Sequence, residues 1–217
     1  MKKKIGIVGW STGKSSFGAT KEYLQYLSGF GQVEIIMPSK SVREDIDLVV
    51  LPGGWDINPY LFDEVPGFMN TNPSLYKEFF YMNNLKDYIN AGKSIYGICL
   101  GFQQLCVYFG SKLTQHLPST GIHNVYSKPY EDLVHSVDIN IEKLSLKKTQ
   151  KVNSLHHQGV MLNDLSGELI PIATDSSEGS TLVEGIMHKS LPIAAVQWHP
   201  EHIYDELSGI LIKELLK

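Results

Sequence analysis

Apolar residues in the first half of the chain form short continuous runs separated by segments with helical spacing. The runs predict buried strands at 5–10, 33–37, 47–51 and 95–98. Between them, apolar residues recur every three or four positions, as on one face of an amphipathic helix. One helix is predicted around 23–30, one within 71–90 and one directly after 99. Strands that alternate with helices predict a parallel sheet with helices on both faces.

The predicted helix within 71–90 begins near Pro73 and ends before Gly92. Its apolar positions are Leu75, Phe79, Met82, Leu85 and Ile89. The loop before it, 58–71, is the longest interval without regular structure. Such loops often carry function.

The second half of the chain has a different pattern, with several short strands separated by turns. These strands are predicted at 112–116, 134–141, 167–173 and 181–187, followed by a buried strand at 193–198 and a terminal helix at 206–216. Short consecutive strands of this kind predict a small antiparallel or mixed extension of the sheet. No repeat, linker or low-complexity segment divides the 217 residues, so 1–217 is expected to form a single α/β domain.

Composition and charge exclude several classes of partner. The net charge of −4 gives no electrostatic basis for binding nucleic acid or an anionic membrane. No apolar run approaches the ~20 residues of a membrane span, and the start of the chain lacks the features of a signal peptide. The two cysteines, Cys99 and Cys106, lie too far apart along one predicted helix to form a disulfide. A reducing, cytoplasmic location is expected.

The strongest chemical signal is a cysteine between a predicted strand and a predicted helix. Gly97-x-Cys99-x-Gly101 has the form of a nucleophile elbow, a tight turn that exposes a nucleophile at a sheet edge. Small residues are needed on both sides because a Cβ would crowd the turn. The positive end of the helix dipole favours a thiolate at this position. A buried cysteine that packs as a small hydrophobe is the alternative.

Two other loops follow predicted strands, and in a parallel sheet such loops meet at one edge. Pro52-Gly53-Gly54 can turn backbone N–H groups toward a ligand, as an oxyanion hole requires, although by itself it is weak evidence and more often forms a plain turn. His199-Pro200-Glu201 offers an imidazole base and a carboxylate to orient it. A third polar segment, 153–158, places His156, His157 and Gln158 as candidates for substrate recognition or as surface residues.

Metal and phosphate binding are weaker interpretations. His156, His157, His199 and His202 are candidate metal ligands, but no HExxH or CxxC spacing is present, so no metal is expected. Gly13-Lys14-Ser15 after the first strand is similar to a phosphate-binding loop. The preceding glycines, Gly9 and Gly6, have the wrong spacing for that motif. No cofactor is therefore expected.

Two motifs, in this order, resemble those of the class I glutamine amidotransferases with a Cys-His-Glu triad. The segment 97–103, Gly-Ile-Cys-Leu-Gly-Phe-Gln, resembles their nucleophile motif, and 197–201, Gln-Trp-His-Pro-Glu, resembles their His-Pro-Glu motif. The resemblance extends over most of the chain. Within the family, 51–59 and 152–158 are most similar to the stand-alone γ-glutamyl hydrolases, including γ-glutamyl-GABA hydrolase.

The resemblance implies a flavodoxin-like, mostly parallel open sheet and a role for each matching residue. Cys99 would be the nucleophile, His199 the base and Glu201 its orienting group. The N–H groups of Gly54 and Leu100 would form the oxyanion hole. The implied substrate-binding residues are Gly53, Gln103, His156, His157 and Gln158.

The function expected from this resemblance is hydrolysis of a γ-glutamyl amide through a thioester on Cys99. The partner would then be a small γ-glutamyl compound. The alternative is a glutaminase subunit that delivers ammonia to a separate synthetase, and a third interpretation is a non-catalytic binding module. Two positions leave the substrate open. Phe102 replaces a histidine frequent in amidotransferases, and Leu100 replaces an arginine common in γ-glutamyl-GABA hydrolases.

Overall fold

The computed structural model describes residues 2–12, 16–68, 75–118, 120–123, 129–176 and 179–217. The strands are β1 (Lys4–Val8), β2 (Trp10–Ser11), β3 (Phe17–Gly18), β4 (Gln32–Ile36), β5 (Leu48–Leu51), β6 (Ser94–Ile98), β7 (His135–Ile141), β8 (Leu146–Val152), β9 (Val160–Met161), β10 (Leu169–Asp175), β11 (Leu182–His188) and β12 (Ile193–Val196). The helices are α1 (Lys21–Ser28), α2 (Leu75–Asn83), α3 (Leu85–Asn90), α4 (Leu100–Tyr108), α5 (Thr120–His123), α6 (Pro200–Ile203) and α7 (Glu206–Leu215).

One large sheet organises the described residues. Its strand order is β4-β1-β5-β6-β12-β11-β10-β7-β8, with β9 paired to β11. The first five strands in this order are mutually parallel, and the remaining pairs are antiparallel. The predicted parallel sheet with an antiparallel extension is therefore confirmed.

The central strands are buried on both faces and separate two hydrophobic cores. Alternate residues of β5 face opposite sides, so Leu48 and Val50 belong to one core and Val49 and Leu51 to the other. The first core is covered by α1 and α7, and the second by α2, α3 and α4. Because β6 lies between β5 and β12, its carboxyl end is flanked by the ends of two parallel strands.

One predicted strand is not formed, and one long strand of the structure was not predicted. The segment 112–116 is not a strand and forms only an isolated bridge between Thr114 and Gly159. The strand β8 was not predicted, because its sequence Leu-Lys-Lys-Thr-Gln-Lys-Val has few apolar residues. It is an edge strand, where exposed lysines discourage pairing with another chain.

The predicted helix within 71–90 is interrupted at Asn84 and divided into α2 and α3. Two of its predicted core residues, Phe79 and Met82, are exposed, whereas Lys77 and Phe80 are buried. The predicted apolar face was therefore wrong for α2, where Lys77 turns inward in place of Phe79 and Met82. It was confirmed at Leu85 of α3, which is buried in the second core. The start of this helix near Pro73 and the end of the preceding loop lie outside the described residues.

No helix in the described part of the chain combines the length and apolar character needed to cross a membrane.

Candidate active site

Cys99 lies at the tight turn between β6 and α4. It is the residue before the helix and has φ 51° and ψ −101°, a backbone conformation uncommon for a residue with a side chain. The flanking glycines allow this turn. A Cβ on Gly97 would lie 2.7 Å from the carbonyl of Gly101, and one on Gly101 would lie 2.2 Å from the carbonyl oxygen of Leu51. The geometry is that of the predicted nucleophile elbow.

Cys106, the second cysteine, lies in a different environment. It is fully buried in the core beneath α4, and burial raises the pKa of its thiol. Both cysteines are free. Cys106 is therefore an unreactive core residue, as expected from its apolar surroundings.

His199 and Glu201 form a close pair beside Cys99. His199 precedes the short helix α6, and its Nδ1 lies 2.7 Å from Oε1 of Glu201. Burial alone would lower the pKa of His199, but the Glu201 carboxylate and the Cys99 sulfur raise it well above its usual value. Burial opposes ionisation of Glu201, yet the charge of His199 keeps the pKa of that carboxyl below its usual value. The pair therefore favours an imidazolium held by an ionised carboxylate.

The backbone of His199 is fixed by the side chain of Asn153. The amide oxygen of Asn153 accepts a hydrogen bond from the His199 N–H at 3.0 Å, and its Nδ2 donates to the His199 carbonyl at 3.1 Å. Asn153 is itself buried. It therefore sets the position of the imidazole through the main chain.

Gly53 lies directly against His199 and Cys99. A Cβ at this position would lie 2.7 Å from Cε1 of His199 and 3.4 Å from Cβ of Cys99. The Gly53 N–H donates to the Tyr23 hydroxyl at 2.9 Å. Burial and the Glu201 carboxylate raise the pKa of Tyr23, so the hydroxyl keeps its proton beside Glu201. Tyr23 thus links the loop Pro52-Gly53-Gly54, called the glycine loop below, to Glu201.

The carbonyl of Gly53 is held by Lys77 from α2. The Lys77 ammonium donates to this oxygen and lies 4.0 Å from the centroid of the Trp10 ring, a cation–π contact. Burial lowers the pKa of Lys77 to about 8. The peptide between Gly53 and Gly54 is trans. Because the carbonyl points at Lys77, the N–H of Gly54 points in the opposite direction.

Gly54 and Leu100, the two predicted oxyanion-hole residues, are neighbours. A Cβ on Gly54 would lie 2.8 Å from Cδ2 of Leu100. Leu100 is the first residue of α4, where backbone N–H groups have no partner within the helix. The structure therefore brings both predicted donors to the same edge of the sheet as Cys99.

Three glutamines lie together in the interior near α4. The amide nitrogen of Gln103 faces the Gln158 carbonyl at 3.2 Å and Oε1 of Gln197 at 3.3 Å. All three side chains are buried. Contact of Gln103 and Gln158 with the substrate stays a prediction.

The adjacent residues His156 and His157 point into different environments. Nε2 of His157 lies 2.9 Å from Oδ1 of Asp56, and this hydrogen bond raises the pKa of His157. It ties the 153–158 segment to the loop after β5. His156 is instead buried in a cluster with His123 and Glu184, and burial lowers its pKa to about 3. The two histidines therefore have different partners, and contact of either with the substrate stays a prediction.

Other predicted features contribute less to the site. His199, Glu201 and His202 offer donor atoms within 4.8 Å of one another, as a metal site would. However, Nδ1 of His199 is already engaged by Glu201. The Gly13-Lys14-Ser15 segment lies outside the described residues.

The sequence matches a known family over most of its length. The family model of Peptidase C26 matches residues 9–201. The chain belongs to the Peptidase C26 family. Its relatives include the glutamine amidotransferase-like protein YvdE of Lactococcus lactis, which is 33% identical over 192 residues, covering 83% of this chain and 79% of that protein.

More distant relatives extend the comparison. This C26 chain is 25% identical over 195 residues to phosphoribosylformylglycinamidine synthase subunit PurQ of Prochlorococcus marinus, covering 82% of this chain and 80% of that protein. Among solved structures, PurLQS from Thermotoga maritima superposes with a TM-score of 0.64 at 16% identity, covering 100% of this chain and 98% of that chain. The flavodoxin-like amidotransferase fold expected from the sequence is therefore confirmed.

Three residues at this C26 site were missed by sequence reasoning. Tyr23 was assigned to the apolar face of α1, and Asn153 belonged to a segment singled out only for its histidines. Lys77 gave no signal, because the predicted buried face passed through Phe79 and Met82 and left Lys77 on the other side.

Proposed function

We propose that the protein is a cysteine hydrolase that cleaves γ-glutamyl amides through a γ-glutamyl thioester on Cys99. The observation that carries the proposal is the His199–Glu201 pair, with 2.7 Å between Nδ1 and Oε1, next to Cys99 at the elbow. A nucleophile, a base and an orienting group in this order are what acyl transfer requires. Membership of the Peptidase C26 family supports it.

In the proposed reaction, the Cys99 sulfur attacks the γ-carbonyl carbon and forms the S–C bond. Negative charge develops on the carbonyl oxygen, where the N–H groups of Gly54 and Leu100 would stabilise it. One such donor is typically worth about 3 kcal/mol of barrier. The imidazolium of His199 gives its proton to the leaving nitrogen as the C–N bond breaks. His199 then takes a proton from water, whose oxygen attacks the thioester carbon. The S–C bond breaks, glutamate is released, and the Cys99 thiolate and the His199 imidazolium are restored.

The alternative is a glutaminase subunit that passes ammonia to a synthetase. It is favoured by the relative named as the PurQ subunit of a synthase. The hydrolase is favoured by the similarity of 51–59 and 152–158 to the stand-alone γ-glutamyl hydrolases. In both cases the first half-reaction is the same attack by Cys99 on a γ-glutamyl amide.

The experiment that separates these functions measures glutamate release from glutamine and from a panel of γ-glutamyl amines and γ-glutamyl amino acids. A stand-alone hydrolase should turn over at least one γ-glutamyl amine faster than glutamine, without any added protein. Glutamine as the best substrate, with a strong rate increase on adding a synthetase, would support the amidotransferase instead. Absence of turnover on every substrate, with and without a synthetase, would support the non-catalytic module.

Replacing Lys77 with methionine should reduce kcat by about a hundredfold, because the Gly53–Gly54 peptide loses the group that orients it. KM should change less, since Lys77 holds the main chain and not the substrate. Below a pH of about 8 the buried lysine is charged, and above it the charge is lost. The ratio of wild-type to variant kcat should therefore fall as the pH rises through about 8.

The matched control is Lys86→Met, because Lys86 is exposed on the neighbouring helix α3. It should leave kcat and its pH dependence unchanged. Equal kcat values for wild type and the Lys77 variant would show that Lys77 does not position the glycine loop. Far-ultraviolet circular dichroism of both variants checks that they are folded.

A further inference from the structure

A second cluster of chemically active side chains lies in the interior, apart from Cys99. It contains three histidines and two carboxylates, namely His123, His135, His156, Asp175 and Glu184. All five residues are buried, and the Glu184 side chain is completely inaccessible to solvent. An ionised carboxylate in such a position is costly unless it is paired or bound to a cation.

The carboxylate of Glu184 is surrounded by imidazole nitrogens at similar distances. Its Oε1 lies 3.5 Å from Nε2 of His156 and 3.9 Å from Nδ1 of His123. Its Oε2 lies 3.8 Å from Nε2 of His135. These separations are long for hydrogen bonds. The shortest, 3.5 Å between His156 and Glu184, is close to the edge of a tetrahedral coordination sphere, about 3.3 Å for metal–ligand bonds of about 2.0 Å, and the other two are longer.

The hydrogen bond at the other side of the His156 ring fixes its tautomer. Nδ1 of His156 lies 2.9 Å from the Gln158 carbonyl oxygen, which can only accept, so Nδ1 carries the proton. In the neutral ring, Nε2 then presents a lone pair to the Glu184 carboxylate. Two electron-rich atoms facing each other in a dry interior repel unless a cation lies between them.

The orphaned atoms support the same conclusion. Within the described residues, Nε2 of His156, both ring nitrogens of His135 and both carboxylate oxygens of Glu184 are buried and lack a hydrogen-bond partner. Buried polar side-chain atoms are rarely left without partners. Their concentration around one point indicates a ligand.

We infer that this cluster is a binding site for a divalent transition metal, with Zn²⁺ as the best match. Glu184, His156 and His123 supply donor atoms within 4.8 Å of one another. His135 is the nearest candidate for the fourth ligand. Imidazole nitrogens with a carboxylate oxygen are ligands that zinc prefers, whereas calcium and magnesium prefer oxygen.

The surrounding groups are those that commonly support metal ligands. Ligating histidines usually donate their other N–H to a carboxylate or a backbone carbonyl. Here the Gln158 carbonyl faces Nδ1 of His156, and Oδ2 of Asp175 lies 3.5 Å from Nε2 of His123. A metal ion bound by His123, His156 and Glu184 would join α5, the 153–158 segment and β11.

The site has a structural connection to the candidate active site. Ser154 Oγ and the His156 N–H both donate to the His123 carbonyl, at 2.8 and 2.9 Å. Asn153, which precedes Ser154 in the chain, makes two hydrogen bonds to the backbone of His199. The metal would therefore stiffen the segment that positions the imidazole, without contacting the substrate.

The test is metal binding by the full-length Cys99→Ala variant, which removes the active-site thiol as a competing ligand. The protein is stripped with a chelator, then titrated with Zn²⁺ and separately with Co²⁺. We expect one Zn²⁺ per chain by elemental analysis, a rise in Tm on binding, and the intense visible absorption of four-coordinate Co²⁺. Because no turnover is measured, the result is independent of the proposed function.

Adding Glu184→Gln or His156→Gln to this background should weaken Zn²⁺ binding by about tenfold or more. Glu168→Gln is the matched control, because Glu168 is exposed and lies outside the cluster.

Failure of the Cys99→Ala protein to bind Zn²⁺ or Co²⁺ would overturn the inference and indicate that an imidazolium neutralises Glu184. Unchanged affinity in both cluster variants would also overturn it. If one cluster variant does not fold, the Zn²⁺ affinity of the other variant and the Co²⁺ spectrum of the Cys99→Ala protein still test the inference.

Discussion

Replacing Cys99 with alanine is expected to lower kcat/KM for γ-glutamyl amides by about ten-thousandfold or more, because no other group can form the thioester. The variant should fold normally. Only the sulfur is removed, and alanine faces the same backbone conformation at φ 51° as cysteine. Glutamate release measures the loss, and intact-protein mass spectrometry should detect the acyl adduct in the wild type alone.

The second cysteine provides the control. Cys106 lies on α4, the helix that follows Cys99, but it is fully buried in the other hydrophobic core. Cys106→Ala should keep its activity while losing some stability to the small cavity it leaves. Substantial turnover by Cys99→Ala, or equal losses in both variants, would contradict Cys99 as the nucleophile.

Replacing Gly101 with alanine is expected to lower the free energy of unfolding by about 3 kcal/mol. The new Cβ would lie 2.2 Å from the carbonyl oxygen of Leu51 and 2.7 Å from its Cβ. Leu51 cannot move away easily, because it belongs to β5 and pairs with Gly97 of β6. Chemical denaturation monitored by circular dichroism measures the change.

Activity should fall together with stability in this variant. Leu51 leads directly into Pro52-Gly53-Gly54, so a displaced Leu51 carries the glycine loop away from Cys99. Gly167→Ala is the control, because a Cβ there meets nothing within 4 Å. A denaturation midpoint for Gly101→Ala equal to that of the control would show that α4 can shift to accept the extra carbon.

Local features of the site could be predicted from the sequence because they depend on neighbouring residues. The elbow needs Gly97 and Gly101 on either side of Cys99, and all three lie within five positions. The His199–Glu201 pair is likewise local, since one short turn brings the two side chains together. The alternation of strands and helices then predicted that these turns meet at one edge of the sheet.

The supporting residues could not be predicted because they come from distant parts of the chain. Tyr23 reaches Gly53 from α1, and Lys77 reaches the same residue from α2. Helical periodicity assigns a residue to a buried face, but it does not say which polar group that face will meet. For α2 it also indicated the wrong face, leaving Phe79 and Met82 exposed.

By itself, the sequence determined the α/β architecture, the elbow at Cys99 and the pairing of His199 with Glu201. The tertiary structure decided what His156 and His157 do. The chain bends at His157, and the two neighbouring side chains point to different partners, His157 to Asp56 and His156 to the buried Glu184. The sequence shows only two adjacent histidines, because the groups they meet are brought there by packing.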